Sequence, residues 1–377
     1  MTAAPLVLLA LAAVAVGCAE AQPAEARLPG FATDTSKRTI DLDELQSGGP
    51  PKDGIPALDA PRFVSAEAAR AWLADPEPVV LLRVGGAAKV YPLQILTWHE
   101  IANDTLGGVP VAVTFCPLCY SAVAVDRRVE TPDGPRTLDF GVSGLLRFSD
   151  LVMFDRQTET LWQQYTGEAL VGDLVGTTLT VLPAQIVSFA QARTLHPDAP
   201  VLSRETGFDR DYGRNPYAGY DDVERTPFLY RGAPDGRLAP MARVVAVDAG
   251  GAYRAYPARL TRERGVVHDT LGGRPVVVFH GDGATTALGA ARIAEARVVG
   301  TTGAFVPAVT RDGRRQPLTF RPDGDAFVDA ETGSRWAVTG EAVSGPLAGA
   351  RLEPVRHHDT FAFAWFAFRP ETTVWRP

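Results

Sequence analysis

The sequence predicts an α+β, β-rich protein, a tandem duplication of one module with pseudo-twofold related halves, and three observations point there. Residues 79–113 set against residues 244–278 at one constant offset give 15 identities in 35 positions, far above what composition supplies. Self-similarity of that kind governs any fold assignment. Short apolar runs such as Val79-Val80-Leu81-Leu82 close on Gly85-Gly86, the punctuation of hairpins rather than of long helices. Hydrophobic residues make up 46% and charged residues 21%, the balance of a folded globular chain, and 377 residues suffice for two or three domains.

From the start of the chain, residues 1–18 read as a lipoprotein-type signal peptide. The apolar run from Leu6 to Val16 is too short to span a bilayer, which takes ~20 residues, and it stops at Gly17-Cys18. Ala15-Val16-Gly17-Cys18 resembles a lipoprotein box, so Cys18 is the expected lipidation site and the expected location is exported and membrane-anchored, on a periplasmic or extracellular face. Residues 19–59, rich in Ala, Pro, Gly and Asp, read as a flexible tether.

Residues 60–243 form the expected first module. A hairpin is predicted over 79–84 and 89–93, a helix over 93–103, and a strand over 110–115 running into Cys116. The segment Cys116-Pro117-Leu118-Cys119 then turns into a strand over 121–127. Further strands are predicted at 138–140 and 151–154, and a helix over 184–196 that ends before Pro197. Residues 203–243, dense in aromatic and charged side chains, read as an ordered strap on this module. Residues 244–377 are the second, degenerate copy, in which Asp155, Thr158 and Trp162 return as Asp329, Thr332 and Trp336.

Comparison within one chain separates what the scaffold needs from what chemistry needs. Turn residues persist between the halves, whereas His99 faces Arg264, Glu100 faces Gly265, Cys116 faces Gly281 and Cys119 faces Ala284. With Cys18 taken by lipid, Cys116 and Cys119 are the remaining thiols. Two thiolates at that spacing hold a soft or borderline ion, copper or zinc, or form a small reducible disulfide. His99 is the candidate third ligand or general base, and Glu100 or Asp104 its orienting partner. Cys116 with His99 is the candidate catalytic pair, and Cys116, Cys119 and His99 the candidate metal ligands. The net charge of −7 with no basic run argues against a nucleic-acid partner, which leaves the membrane, through the lipid, as the expected contact. Two other readings stay open: a non-enzymatic module gripping a glycan or peptide with Trp98, Tyr212, Tyr217 and Tyr220, and thiol–disulfide exchange. The latter is disfavoured because the residues after Cys119 read as a strand, not a helix. His280 follows a strand at the place corresponding to Phe115, from which it could reach the thiols across the interface, and His357-His358 are expected in a polar turn.

One family carries these residues together. Tyr91-Pro92, Trp98-His99-Glu100-Ile101, Asn103-Asp104, Thr114-Phe115-Cys116-Pro117-Leu118-Cys119, Ser143-Gly144-Leu145, Ser149-Asp150-Leu151, Asp155-Arg156, Leu161-Trp162 and Asp211-Tyr212-Gly213 resemble the DUF3179 family over about residues 79–220. The resemblance implies no assigned activity. It also implies that Thr can stand at the position of Cys119, which puts weight on Cys116 with His99.

Overall fold

A computed structural model describes residues 28–377 apart from Pro132, Pro234 and Asp312. The expected signal peptide, residues 1–18, and lipidation at Cys18 lie outside the described residues. No helix among those described is long and apolar enough to cross a membrane.

The fold is β-rich α+β, with short helices set between hairpins. Strands Pro78–Val84 and Ala87–Pro92 pair antiparallel around Gly85-Gly86, both at positive φ, the twist-matched turn that glycine permits at no steric cost. Helix Leu93–His99 follows, then the hairpin Ile101–Leu106 and Val109–Cys116 around Gly107-Gly108. The second half repeats this order: Arg243–Asp248, Tyr253–Pro257, helix Ala258–Arg264, Val266–Leu271 and Arg274–Gly281. Matching hydrogen bonds recur with it. Asp104 accepts from Lys89 and Tyr91, as Asp269 does from Arg254 and Tyr256. Asp155 accepts from the Thr158 amide and the Trp162 indole, as Asp329 does from Thr332 and Trp336.

One apolar core joins the halves. Leu82, Phe115 and Trp162 pack in the same cluster as Val244, Phe361 and Trp365, the last on helix Ala362–Phe368. The amino-terminal module therefore completes its interior with carboxy-terminal residues.

The structure departs from the sequence expectations in several places. Residues 28–59 are not a free tether: Gln46–Ser47 pairs with Leu145 and Leu146, and Ala57 and Leu58 are buried in the shared core, so apolar burial orders a segment of loop-like composition. The helix expected over 93–103 stops at His99, because Glu100 turns to φ 59 and Ile101–Leu106 joins Val109–Cys116 as a strand. Ala184–Ser188 is a strand paired with Pro78–Val84. Its helix begins only at Phe189, where the Ser188 hydroxyl and the Gln191 side chain form a capping box. The strap contacts both halves: the Asn215 and Gly219 amides donate to Ala291 and Leu288 carbonyls. His357 and His358 lie on strand Arg356–Phe361 rather than in a turn.

Candidate metal centre

Strand Val109–Cys116 delivers Cys116 to the interior, and residues 117–120 turn the chain back so that Ser121 pairs opposite it. Cys119 sits in that turn. A second hairpin, Phe140–Arg147 with Asp150–Asp155, arrives alongside, and its two-residue connection, Phe148-Ser149, has φ 51 and 66. The turn sets Asp150 against the sulfurs. Ligand atoms of Cys116, Cys119 and Asp150 all lie within 4.8 Å of one another, a group that could hold a metal ion. All three residues are buried, at 2%, 0% and 0% exposure, and both cysteines are free thiols.

Around this group lies a fully buried polar shell. The Gln163 amide donates to Asp150 Oδ2 at 2.6 Å, and the Tyr165 amide reaches the same oxygen at 3.1 Å. Gln164 donates to Thr114 Oγ1 at 2.8 Å and to the Ser121 carbonyl, while accepting from Ser121 Oγ at 2.9 Å. The Cys116 thiol lies 3.7 Å from the Ser149 carbonyl. Such a network orients the side chains that face the site.

Electrostatics follow from burial. Desolvation pushes Asp150 up to about 7 and Glu100 up to about 8, and for Glu100 the nearby Asp150 charge adds to the rise. Burial likewise raises both thiols, Cys119 most, with Asp150 contributing to each. Without a cation the two thiols are held protonated and Asp150 is shifted toward its protonated form; with one, thiols and carboxylate can ionise together.

Backbone strain concentrates here. Of the seven non-glycine residues at positive φ among those described, Glu100, Tyr120, Phe148 and Ser149 belong to the segments that build the site. Glu100 has φ 59 and ψ −31; its counterpart Gly265 has φ 69 and ψ −44. The second half uses the residue this backbone favours. The first half keeps a glutamate there against a cost of about 1–2 kcal/mol.

The expected roles of His99 and Asp104 are corrected. His99 does not join the group. Its Nδ1–H donates to the Pro56 carbonyl at 2.8 Å, so Nε2 accepts from the Tyr212 hydroxyl at 2.6 Å, and neither nitrogen is left for a metal or a proton. As the last residue of its helix it clamps the strap, while Glu100, one residue on, stands near the thiols. Asp104 is held by Lys89 and Tyr91 and belongs to the scaffold in both halves. Asp150, the oxygen donor, was not singled out as a ligand from the sequence, nor were Gln163 and Gln164. The available signal was the loss of Gln163-Gln164-Tyr165, between Trp162 and Thr166, to Ala337-Val338 between Trp336 and Thr339.

Other expected contacts also resolve differently. Cys119 has no partner at Ala284, because Gly281 pairs with Thr301 and residues 282–300 replace the tight turn 117–120. That longer segment covers the site from behind: the Ala287 amide donates to the Tyr120 hydroxyl at 3.1 Å. His280 binds Thr261 and the Val299 carbonyl instead of approaching the thiols. Three of the aromatic residues considered for a glycan groove make internal hydrogen bonds, Tyr212 to His99 Nε2 among them. Tyr220 donates to the Leu118 carbonyl, and Trp98 donates to the Arg214 carbonyl.

Fold and site together define a β-rich protein with two halves of like element order, one of which carries a buried Cys-Cys-Asp group. The chain belongs to the DUF3179 family, proteins of unknown function, whose pattern matches residues 52–372. No curated protein and no solved structure matches it.

Proposed function

We propose that this protein binds a single zinc ion through Cys116, Cys119 and Asp150, at the exported face of a membrane to which Cys18 anchors it. The observation that carries this reading is the convergence of two free thiols and a carboxylate in the buried interior, a group with no counterpart in the other half among the described residues. Mixed sulfur and oxygen donors suit a borderline ion; copper(I) would favour an all-soft set, so the carboxylate shifts the choice from copper to zinc. Three protein donors leave one tetrahedral position, for water or the Glu100 carboxyl.

Reactive-thiol chemistry draws less support. A nucleophilic cysteine needs exposure and a lowered pKa, and here both thiols are buried and raised. Thiol–disulfide exchange meets the same objection, and Ser121–Asp126 after the turn is a strand.

The test is elemental analysis of the full chain purified without affinity metals. One zinc per chain is expected, with Cys116→Ser and Asp150→Asn each lowering zinc affinity at least ~100-fold, beyond the range typical of residues that only support ligands. His99→Ala is expected to keep the ion. A chain that neither retains zinc nor takes it up at micromolar concentration overturns the proposal. Mass analysis of the amino-terminal peptide from membranes tests the anchor, since an unmodified Cys18 in mature protein would remove it.

A further inference from the structure

Behind the turn that carries the thiols, the strap, helix Ala258–Arg264 and the segment 282–300 enclose an open cleft of about 1190 Å³. Five arginines line it, Arg225, Arg243, Arg259, Arg262 and Arg297, against three carboxylates, Asp221, Asp222 and Glu263. This is a local excess of positive charge in a chain whose net charge is −7. Apolar surface borders it: Val223 and Val298 line the cleft at 46% and 41% exposure, beside Leu238 and Leu260. Apolar walls with a few convergent polar groups are what small-molecule sites present.

The pairings within the cleft do not use up its cations. Asp221 is buried and accepts from Arg297 at 2.9 Å and from Thr286 Oγ1 at 2.6 Å. Glu263 pairs with Arg259 at 2.6 Å, Asp222 accepts from the Glu224 amide at 3.0 Å, and Arg262 pairs with Asp282 at 3.2 Å. Arg225 is exposed, and its side chain makes no hydrogen bond or ion pair among the described residues. Arg243 is part-exposed. Its guanidinium lies 3.8 Å over the Tyr120 ring with Asp359 and Asp221 as neighbouring charges, yet its Nη1 is buried without a hydrogen-bond partner. Asp359 accepts instead from Thr302 Oγ1 at 2.8 Å. Guanidinium groups on the floor and at the rim thus keep donors to spare, and a donor left without an acceptor is costly where water is excluded.

We infer that this cleft binds a phosphate group carried on an apolar body, the phosphate on Arg225, Arg243 and Arg297 and the apolar part against Val223 and Val298. Guanidinium forks match phosphate oxygens with paired hydrogen bonds, and a phosphate has oxygens enough to engage several arginines at once, where a carboxylate would satisfy one. The cleft is larger than a lone ion needs, and its apolar border gives the rest of the ligand a place. An anionic phospholipid headgroup and a soluble phosphate ester share this chemistry.

Phenyl phosphate is the probe, with phenol and inorganic phosphate as its two halves, and calorimetric titration of the full chain is the measurement. Phenyl phosphate is expected to bind at one site per chain at least ~10-fold more tightly than either half. Arg225→Gln is expected to weaken it at least ~10-fold, and Arg243→Gln to abolish binding. Val298→Glu sets a carboxylate at the exposed mouth; it is also expected to abolish binding and keeps the test open should the Arg243 variant fold poorly. Dihexanoyl phosphatidylglycerol separates the two sources: tighter binding than phenyl phosphate assigns a lipid headgroup, weaker binding a soluble ester. No binding of phenyl phosphate, equal binding of phenol or of inorganic phosphate, or undiminished binding to Val298→Glu overturns the inference. Binding is expected to persist in Asp150→Asn, and its loss there would move the ligand to the thiol group and overturn the inference as well.

Discussion

The two halves of this chain pose the same backbone problem and fill it with opposite chemistry. In the first, the hairpin end and the meander beside it meet over Thr114, Ser121, Asp150, Gln163 and Gln164, all buried and hydrogen-bonded. In the second, the position of Thr114 is Phe279, which stacks on Phe327 at 4.2 Å and packs edge-on against Phe320. The meander hairpin is also shorter there, Phe320–Asp323 with Ala326–Asp329, and stops before it could carry an Asp150. An aromatic plug thus satisfies the fold without sulfur or carboxylate. What the first half holds instead costs desolvation and backbone strain that the second half's solution avoids, which is why it is the candidate site.

That contrast can be broken most severely through pH. Asp150 and Glu100 have folded-state values of about 7 and about 8, above the ordinary carboxyl range. Folding of the metal-free chain therefore binds protons. The stability these groups allow is fully present below about pH 4 and is lost as pH rises through 7 to 8, by on the order of a few kcal/mol. Zinc should reverse the slope, because it needs the ionised donors. Urea denaturation of the apo and zinc-loaded chains at pH 5 and pH 8 reads both, and an apo protein more stable at pH 8 would contradict the electrostatics.

Next in size are the scaffold residues the halves share. Asp155→Ala and Asp329→Ala each strand a buried indole N–H and uncap a turn, and each is expected to destabilise by about 3 kcal/mol. Zinc affinity of the surviving folded fraction should be unchanged by Asp329→Ala. Clearly unequal stability losses in denaturant titrations would show that the shared hydrogen bonds are not equivalent. The smallest effect is Glu100→Gly, which copies Gly265. It is expected to stabilise the apo chain at pH 8 by about 1 kcal/mol, through relief of the left-handed backbone, while weakening zinc binding. Destabilisation would mean that the glutamate supports the fold.

Much of this was legible beforehand, and the failures have physical causes. Gly-Gly turns, apolar runs and the strand entering Cys116 were readable because period-2 patterning and positive-φ glycines act locally. The thiols stood out because the other half lacks them. His99 misled because neighbours in sequence need not share a direction: the helix ends between it and Glu100, so one residue faces the strap and the next the site. Asp150 was hidden because the Phe148-Ser149 turn and its strand register, not its spacing from Cys116, bring it in. Ala184–Ser188 shows tertiary pairing overriding a helical pattern, since Ile186 and Val187 complete the sheet edge of Pro78–Val84.

X-ray absorption at the zinc edge of the loaded full-length chain tests the central claim most directly. Two sulfur scatterers at ~2.3 Å with the remainder oxygen at ~2.0–2.2 Å are predicted, and Asp150→Asn should alter only the oxygen shell. An imidazole signature, or a shell without sulfur, would contradict the Cys116, Cys119 and Asp150 centre.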